Sequence, residues 1–104
     1  VNTPTPRRIR RAQLQVGEDL RTWRLLQHLT VEEVADRAGV GRTTVLRLEA
    51  GDGANLGTLL RVARALGVLD QLVTSLDPYE SDVGRLRADE ALPKRVRHKK
   101  APGA

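Results

Sequence analysis

The 104-residue sequence predicts an all-α protein built on five short helices, and three observations predict it. Proline is absent from Arg7 to Asp77, apolar residues across that stretch recur at the 3.6-residue period, and single glycines break the pattern at helix-length intervals. No segment alternates polar and apolar residues over the length of a strand. The core must be aliphatic, because Trp23 and Tyr79 are the only aromatics and there is no Phe or Met. A chain of this length buries roughly two-thirds of the surface its unfolded form exposes, enough for one modest domain without a metal or a disulfide.

The first helix is expected from about Ala12 to His28, with Val16, Leu20, Trp23 and Gln27 on one stripe and Gly17 as a weak point. Thr30 is placed to cap the second, and Glu33 three residues on completes a capping box, each side chain serving the other's backbone N–H. Val31, Val34, Ala35 and Ala38 form its buried stripe, and Gly39 suits the left-handed conformation that ends a helix. The third runs from about Gly41 to Ala50, burying Val45 and Leu48, with Gly51 as its stop. Asn55 caps a fourth, Leu56 to Leu66, whose apolar positions Leu56, Leu59, Leu60, Ala63 and Leu66 keep the helical period before Gly67 ends it. A fifth, about Leu69 to Leu76, gathers Leu69, Leu72, Val73 and Leu76 on one side until Asp77-Pro78 stops it. Residues 80–92 read as a weaker helix, supported by Arg85 and Asp89 four apart and opposed by Gly84.

Composition excludes several classes of chemistry. With no cysteine and with His28 and His98 seventy residues apart, there is no thiol nucleophile, no disulfide framework and no metal-ligand set. Ser75 and Ser81 have no histidine near them in sequence, and no glycine-rich phosphate loop follows a strand, so neither an enzyme nor a cofactor is expected. No apolar run approaches the ~20 residues that span a bilayer, which leads to the expectation of a cytoplasmic protein, nucleoid-associated when bound to DNA.

The net charge of +5 is unevenly placed. Residues 1–15 carry four arginines and no acid, residues 93–104 carry five bases and no acid, and residues 16–92 carry nine bases against thirteen acids. Like-charge blocks beside proline and small polar residues predict disordered basic arms suited to nucleic acid. The expected organisation is therefore a disordered arm at 1–11, a domain at 12–76 and a C-terminal extension at 77–104 with a basic tail.

The second and third helices with their glycine turn occupy only 21 residues, Thr30 to Ala50. Ala35 is small enough to let two helix axes cross closely, Gly39 turns the chain, and Val45 and Leu48 pin the third helix while its other face points outward. That arrangement is helix-turn-helix geometry. The outward face carries Arg42, Thr43 and Arg47, with Thr44 and Leu46 at its edge.

The stretch Leu29-Thr-Val-Glu-Glu-Val-Ala-Asp-Arg-Ala-Gly-Val-Gly-Arg-Thr-Thr-Val-Leu-Arg-Leu-Glu-Ala-Gly51, followed by Leu59-Leu-Arg-Val-Ala-Arg-Ala-Leu-Gly67, resembles the Xre/Cro/CI family of bacterial and phage regulators. The likeness covers residues 16–76 and implies a five-helix, lambda-repressor-like DNA-binding domain. By that resemblance the third helix is the recognition helix, lying in the major groove. Arg42 and Arg47 would read guanine O6 and N7, and Thr43 would meet a base edge or a thymine methyl. Gly41, Thr44 and Asn55 would meet phosphate through helix N-termini, and Arg24 with Glu49 would form an ion pair tying the first helix to the third. The sequence departs from the family where Val31 replaces a phosphate-binding glutamine, where Gly41 replaces a Ser or Thr cap, and in Gly51-Asp-Gly-Ala-Asn55, which has no base.

The flanks are the expected source of backbone attraction. Arg7, Arg8, Arg10 and Arg11 form an arm of the kind that enters a minor groove, and Lys94 to Lys100 form a second. Double-stranded DNA is the expected partner, a homodimer the expected state, and repression the expected activity. The competing reading is an antitoxin: Gly67-Val-Leu-Asp-Gln-Leu72 with an acidic linker and a basic end is loosely similar to the small regulators encoded beside HipA-type kinases, which implies a toxin-like partner protein held by the C-terminal extension.

Overall fold

The computed structural model describes residues 4–92, and every regular element in that range is helical. The chain divides into two units, Val1–Asp70 and Gln71–Ala104. Among the described residues no helix is long and apolar enough to cross a membrane.

The first unit holds α1 (Arg7–Leu26), α2 (Val31–Ala38), α3 (Arg42–Glu49), α4 (Leu56–Ala65) and the start of α5 (Leu69–Ser75). Its core is aliphatic: Leu20, Leu29, Val34, Ala35, Ala38, Val45, Leu48, Val62, Ala63, Leu66 and Val68 are buried, and Val34, Val45 and Val62 are sealed from solvent. Burying a valine side chain stabilises the fold by about 1.5–3 kcal/mol, so these three small side chains, one from each of α2, α3 and α4, anchor the centre. Val62 stands outside the stripe expected for its helix, whereas Leu56, expected inside, is exposed.

Two expectations for α1 are corrected. The helix begins at Arg7, not near Ala12, so Arg7, Arg8, Arg10 and Arg11 belong to its first turns and not to a disordered arm. Arginine is a good helix former, and Ile9 joins Ala12 and Val16 on one wall of an apolar groove of about 240 Å³ opposite Leu48 and Leu59. Arg10 donates to the Gly51 carbonyl and lies 3.7 Å from Asp52, so the turn after α3 holds it in place. Residues 1–3 and the basic tail from Lys94 to Lys100 lie outside the described residues.

The second correction concerns which face is buried. Gly17, Leu20 and Arg24 point inward, while Val16 and Trp23 are partly exposed. Gly17 is a contact point with no room to spare: a Cβ there would sit 2.5 Å from the Leu48 carbonyl oxygen and 2.6 Å from that of Glu49. The absence of a side chain lets α1 lie directly on the last turn of α3.

Side-chain caps set the helix starts. Thr30 accepts from Glu33 N–H at 3.0 Å while Glu33 accepts from Thr30 N–H at 2.8 Å, completing the capping box. Asn55 accepts from Thr58 N–H at 2.8 Å at the head of α4. Gly39, at φ 71°, ends α2 in the left-handed region, and Arg64 Nη2 donates to the nearby Arg37 carbonyl. Thr30→Ala should lower unfolding free energy by about 1 kcal/mol, read by urea denaturation. The Thr30 N–H holds the Glu33 carboxyl below its ordinary value of 4.5. A depressed carboxylate contributes stability above its unfolded pKa and loses it as pH falls through the folded one. The gap between wild type and Glu33→Gln, which keeps the shape but not the charge, should therefore be full at pH 7 and shrink below about pH 4.5; a gap that widens on acidification would contradict the box.

In the second unit the described part comprises the rest of α5, a single 3₁₀ turn at Pro78–Glu80, and α6 (Asp82–Ala91). Asp77 accepts from Tyr79 N–H at 2.9 Å and Ser81 Oγ from Gly84 N–H at 2.9 Å, so each turn has its own cap. Arg85 pairs with Asp82, not with Asp89, and donates to the Tyr79 carbonyl at 2.6 Å. Gly84 favours α6, contrary to expectation, since a Cβ there would run into the Pro78 carbonyl. No residue from Gln71 to Leu92 is buried, and Val73, Leu76, Val83 and Leu86 are well exposed.

Candidate nucleic-acid interface

The α2–turn–α3 segment presents a helix whose two faces differ in kind. Val45 and Leu48 are buried against the core; Arg42, Thr43, Leu46 and Arg47 are exposed, and Thr44 is half-buried. Arg42 and Thr43 occupy the first turn of α3, and Arg47 follows about one turn later on the outward side. Among the described residues Arg47 has no ion pair, so its guanidinium is uncommitted.

Gly41 caps α3 in an extended conformation and supplies no side-chain acceptor. The leading N–H groups of the helix are thus left to solvent or to an anion, and the helix dipole favours negative charge at that end. At α4 the corresponding site is partly used, because the Asn55 carbonyl oxygen already accepts from Thr58. Its amide nitrogen makes no hydrogen bond among the described residues.

What fixes the angle of α3 is an ion pair behind it. Arg24 Nε donates to Glu49 Oε2 at 2.8 Å and Nη2 donates to Oε1 at 3.1 Å, while Nη1 donates to the Leu29 carbonyl at 3.0 Å. The two side chains are 11% and 8% exposed, so solvent screens the pair little. The hydrogen bond that Arg24 donates to Glu49 raises the Arg24 pKa above its ordinary value despite the opposing effect of burial, and the guanidinium stays charged. One side chain thereby ties together α1, the loop before α2 and the end of α3.

Arg10 ties the other end of α1 to the same region. Its bonds to the Gly51 carbonyl and Asp52 occupy the loop that resembles the family least. Asp52, which alone would repel a phosphate, is thereby partly neutralised. Arg10 is thus engaged by the turn after α3, whereas Arg7, Arg8 and Arg11 are exposed on the first turns of α1.

Glu32 carries no mark in the sequence pattern beyond its place in the first turn of α2. Its Oε2 accepts from Arg42 Nε at 2.5 Å, across the turn and ten residues away. That hydrogen bond holds the Glu32 carboxyl below its ordinary range, with the charge of Arg24 adding to the effect. No local pattern marks such a pair, because it exists only once α2 and α3 have crossed.

A family model described as Helix-turn-helix matches residues 20–69, a span that starts in α1 and contains all of α2, α3 and α4. No curated protein and no solved structure matches the chain. The crossing of α2 and α3, the exposed Arg42–Arg47 face and the matched span agree: residues 20–69 form a helix-turn-helix domain of the kind found in Xre/Cro/CI-type DNA-binding regulators.

Proposed function

We propose that the protein is a sequence-specific repressor that inserts α3 into the major groove of its operator. The observation that carries this reading is the polarity of α3, which buries Val45 and Leu48 and turns Arg42, Thr43 and Arg47 outward. In this reading Arg42 and Arg47 each donate two parallel hydrogen bonds to a guanine, and Thr43 contacts the neighbouring base edge. The open N–H groups behind Gly41, the Thr44 hydroxyl and the Asn55 amide approach phosphate, and Arg7, Arg8 and Arg11 add attraction independent of sequence. The chain has no catalytic role.

One recognition helix reads only a few base pairs, so the working unit is a homodimer with half-sites about 34 Å apart. Selection of bound fragments from random DNA tests the whole reading at once. The expected outcome is a two-fold-related site with G·C pairs in each half; recovery of unrelated fragments would overturn it. A second reading is favoured by one observation: from Gln71 to Leu92 the chain buries nothing and leaves Val73, Leu76, Val83 and Leu86 exposed. That is the surface an antitoxin would offer to a toxin-like protein while its helix-turn-helix regulates its own operon. Loss of a copurifying protein on truncation after Ser75, with operator binding retained, would support it.

A further inference from the structure

The pairing of Glu32 with Arg42 carries an inference that rests on the DNA-reading role of α3. Glu32 lies outside the core, and its charge suits the helix N-terminus on which it sits. It sits in the first turn of α2 with its side chain 63% exposed, the capping box uses Glu33 instead, and its hydrogen-bond partner is Arg42.

The form of the contact differs from the structural pair beside it. Arg24 grips Glu49 through both Nε and Nη2, whereas Arg42 gives Glu32 only its Nε–H. Nη1 and Nη2 of Arg42 make no hydrogen bond among the described residues. Their four N–H groups include the two parallel donors at the tip of the guanidinium, the edge that matches guanine O6 and N7. The carboxylate therefore holds the inner edge of the side chain and leaves the reading edge outward. A long side chain fixed in this way before binding loses less rotamer freedom when it meets a base.

Charge works in the same direction. Arg42 is the first residue of α3, where the helix dipole is positive, and the Glu32 carboxylate lies against it. A guanidinium already paired with a carboxylate draws a phosphate less strongly than a bare one, while its hydrogen-bonding to a neutral base edge is untouched. We propose that Glu32 is a specificity-determining positioning residue, which aims Arg42 at a guanine and keeps the same guanidinium from settling on the DNA backbone.

The test uses the full chain, the duplex recovered by fragment selection, its single G·C→A·T variants and a random duplex of equal length, across a KCl series. Glu32→Gln is expected to strengthen binding to the random duplex, by about three- to tenfold, and to steepen the slope of log K against log salt by about one. It should also weaken discrimination at one G·C pair per half-site by about tenfold. On an Arg42→Ala background Glu32→Gln should change neither quantity. Glu32→Asp, which keeps the charge but shortens the reach, should lose base discrimination while binding random DNA as the wild type does. Equal changes on specific and random DNA, or an undiminished effect without Arg42, would overturn the proposal, and so would loss of folding in both variants. A wild-type chain that does not distinguish the selected duplex from random DNA would instead overturn the reading of α3 itself; a wild type that distinguishes them beside an unaltered Glu32→Gln overturns the role of Glu32 alone.

Discussion

Gly17→Ala should destabilise the helix-turn-helix unit by about 2–3 kcal/mol, even though alanine is the better helix former by about 1 kcal/mol. The added methyl would meet the carbonyl oxygens of Leu48 and Glu49 at 2.5 and 2.6 Å and the Glu49 carbonyl carbon at 2.9 Å. All three are backbone atoms at the end of α3, so relief requires moving one helix away from the other. Gly57, inside α4, is the natural control, since a Cβ there would meet only Asn55 Oδ1 at an ordinary 3.5 Å. Gly57→Ala should stabilise by about 0.5–1 kcal/mol. For a domain of this size each kcal/mol moves the melting temperature by about 4–8 °C, so the two variants should melt on opposite sides of the wild type. A rise in melting temperature for Gly17→Ala would show that α1 and α3 do not lie in direct backbone contact.

Glu49→Ala should cost about 3–5 kcal/mol, because it leaves the Arg24 guanidinium buried without a counter-charge. The side chains concerned are 11% and 8% exposed, and the surviving bond from Arg24 Nη1 to the Leu29 carbonyl does not replace the bidentate pair. Replacing both partners, Arg24→Met with Glu49→Leu, should be milder than Glu49→Ala alone, since no unpaired charge then remains. Urea denaturation of the two single variants and the double variant gives the coupling directly. A loss below about 1 kcal/mol for Glu49→Ala would place the pair among the exposed ion pairs of little consequence.

The parts of the fold that depend on neighbours in sequence were legible there. The Thr30–Glu33 box, the Asn55 cap, the Gly39 stop and the outward placement of Arg42, Thr43 and Arg47 follow from spacings of three to five residues, which local geometry fixes. The pairing of Arg24 with Glu49 came only from resemblance to a family. Features that need two distant segments to meet were misread or missed. Arg7 to Arg11 read as a repelling block because the acceptors that hold Arg10, the Gly51 carbonyl and Asp52, lie more than forty residues away. Gly17 read as a flaw in a helix because its reason for being small is the backbone of α3. Glu32 carried no signal, since its partner stands on the other side of a turn.

The charge distribution acquires a different meaning from the structure. Four arginines near the N-terminus looked like one flexible arm, yet one of them clamps the turn after α3 and the others ride on a helix fixed to the domain. If they attract the DNA backbone as proposed, their reach is set by the position of α1. The proposed attraction to the backbone and the orientation of α3 would then be linked through one helix, which also carries Gly17 and Arg24.

If α3 reads bases through Arg42, Thr43 and Arg47, removing one of these side chains should erase the preference at one base pair. Wild type and Arg47→Ala are titrated against the selected duplex and against each of its single G·C→A·T variants at fixed salt. Wild type should lose about 1–3 kcal/mol of binding at each G·C pair read by an arginine. Arg47→Ala should abolish that loss at one pair in each half-site and leave the other positions unchanged, with its fold intact by thermal melting. A uniform weakening across every duplex, with all base preferences preserved, would make Arg47 a backbone contact and exclude base reading by this side chain.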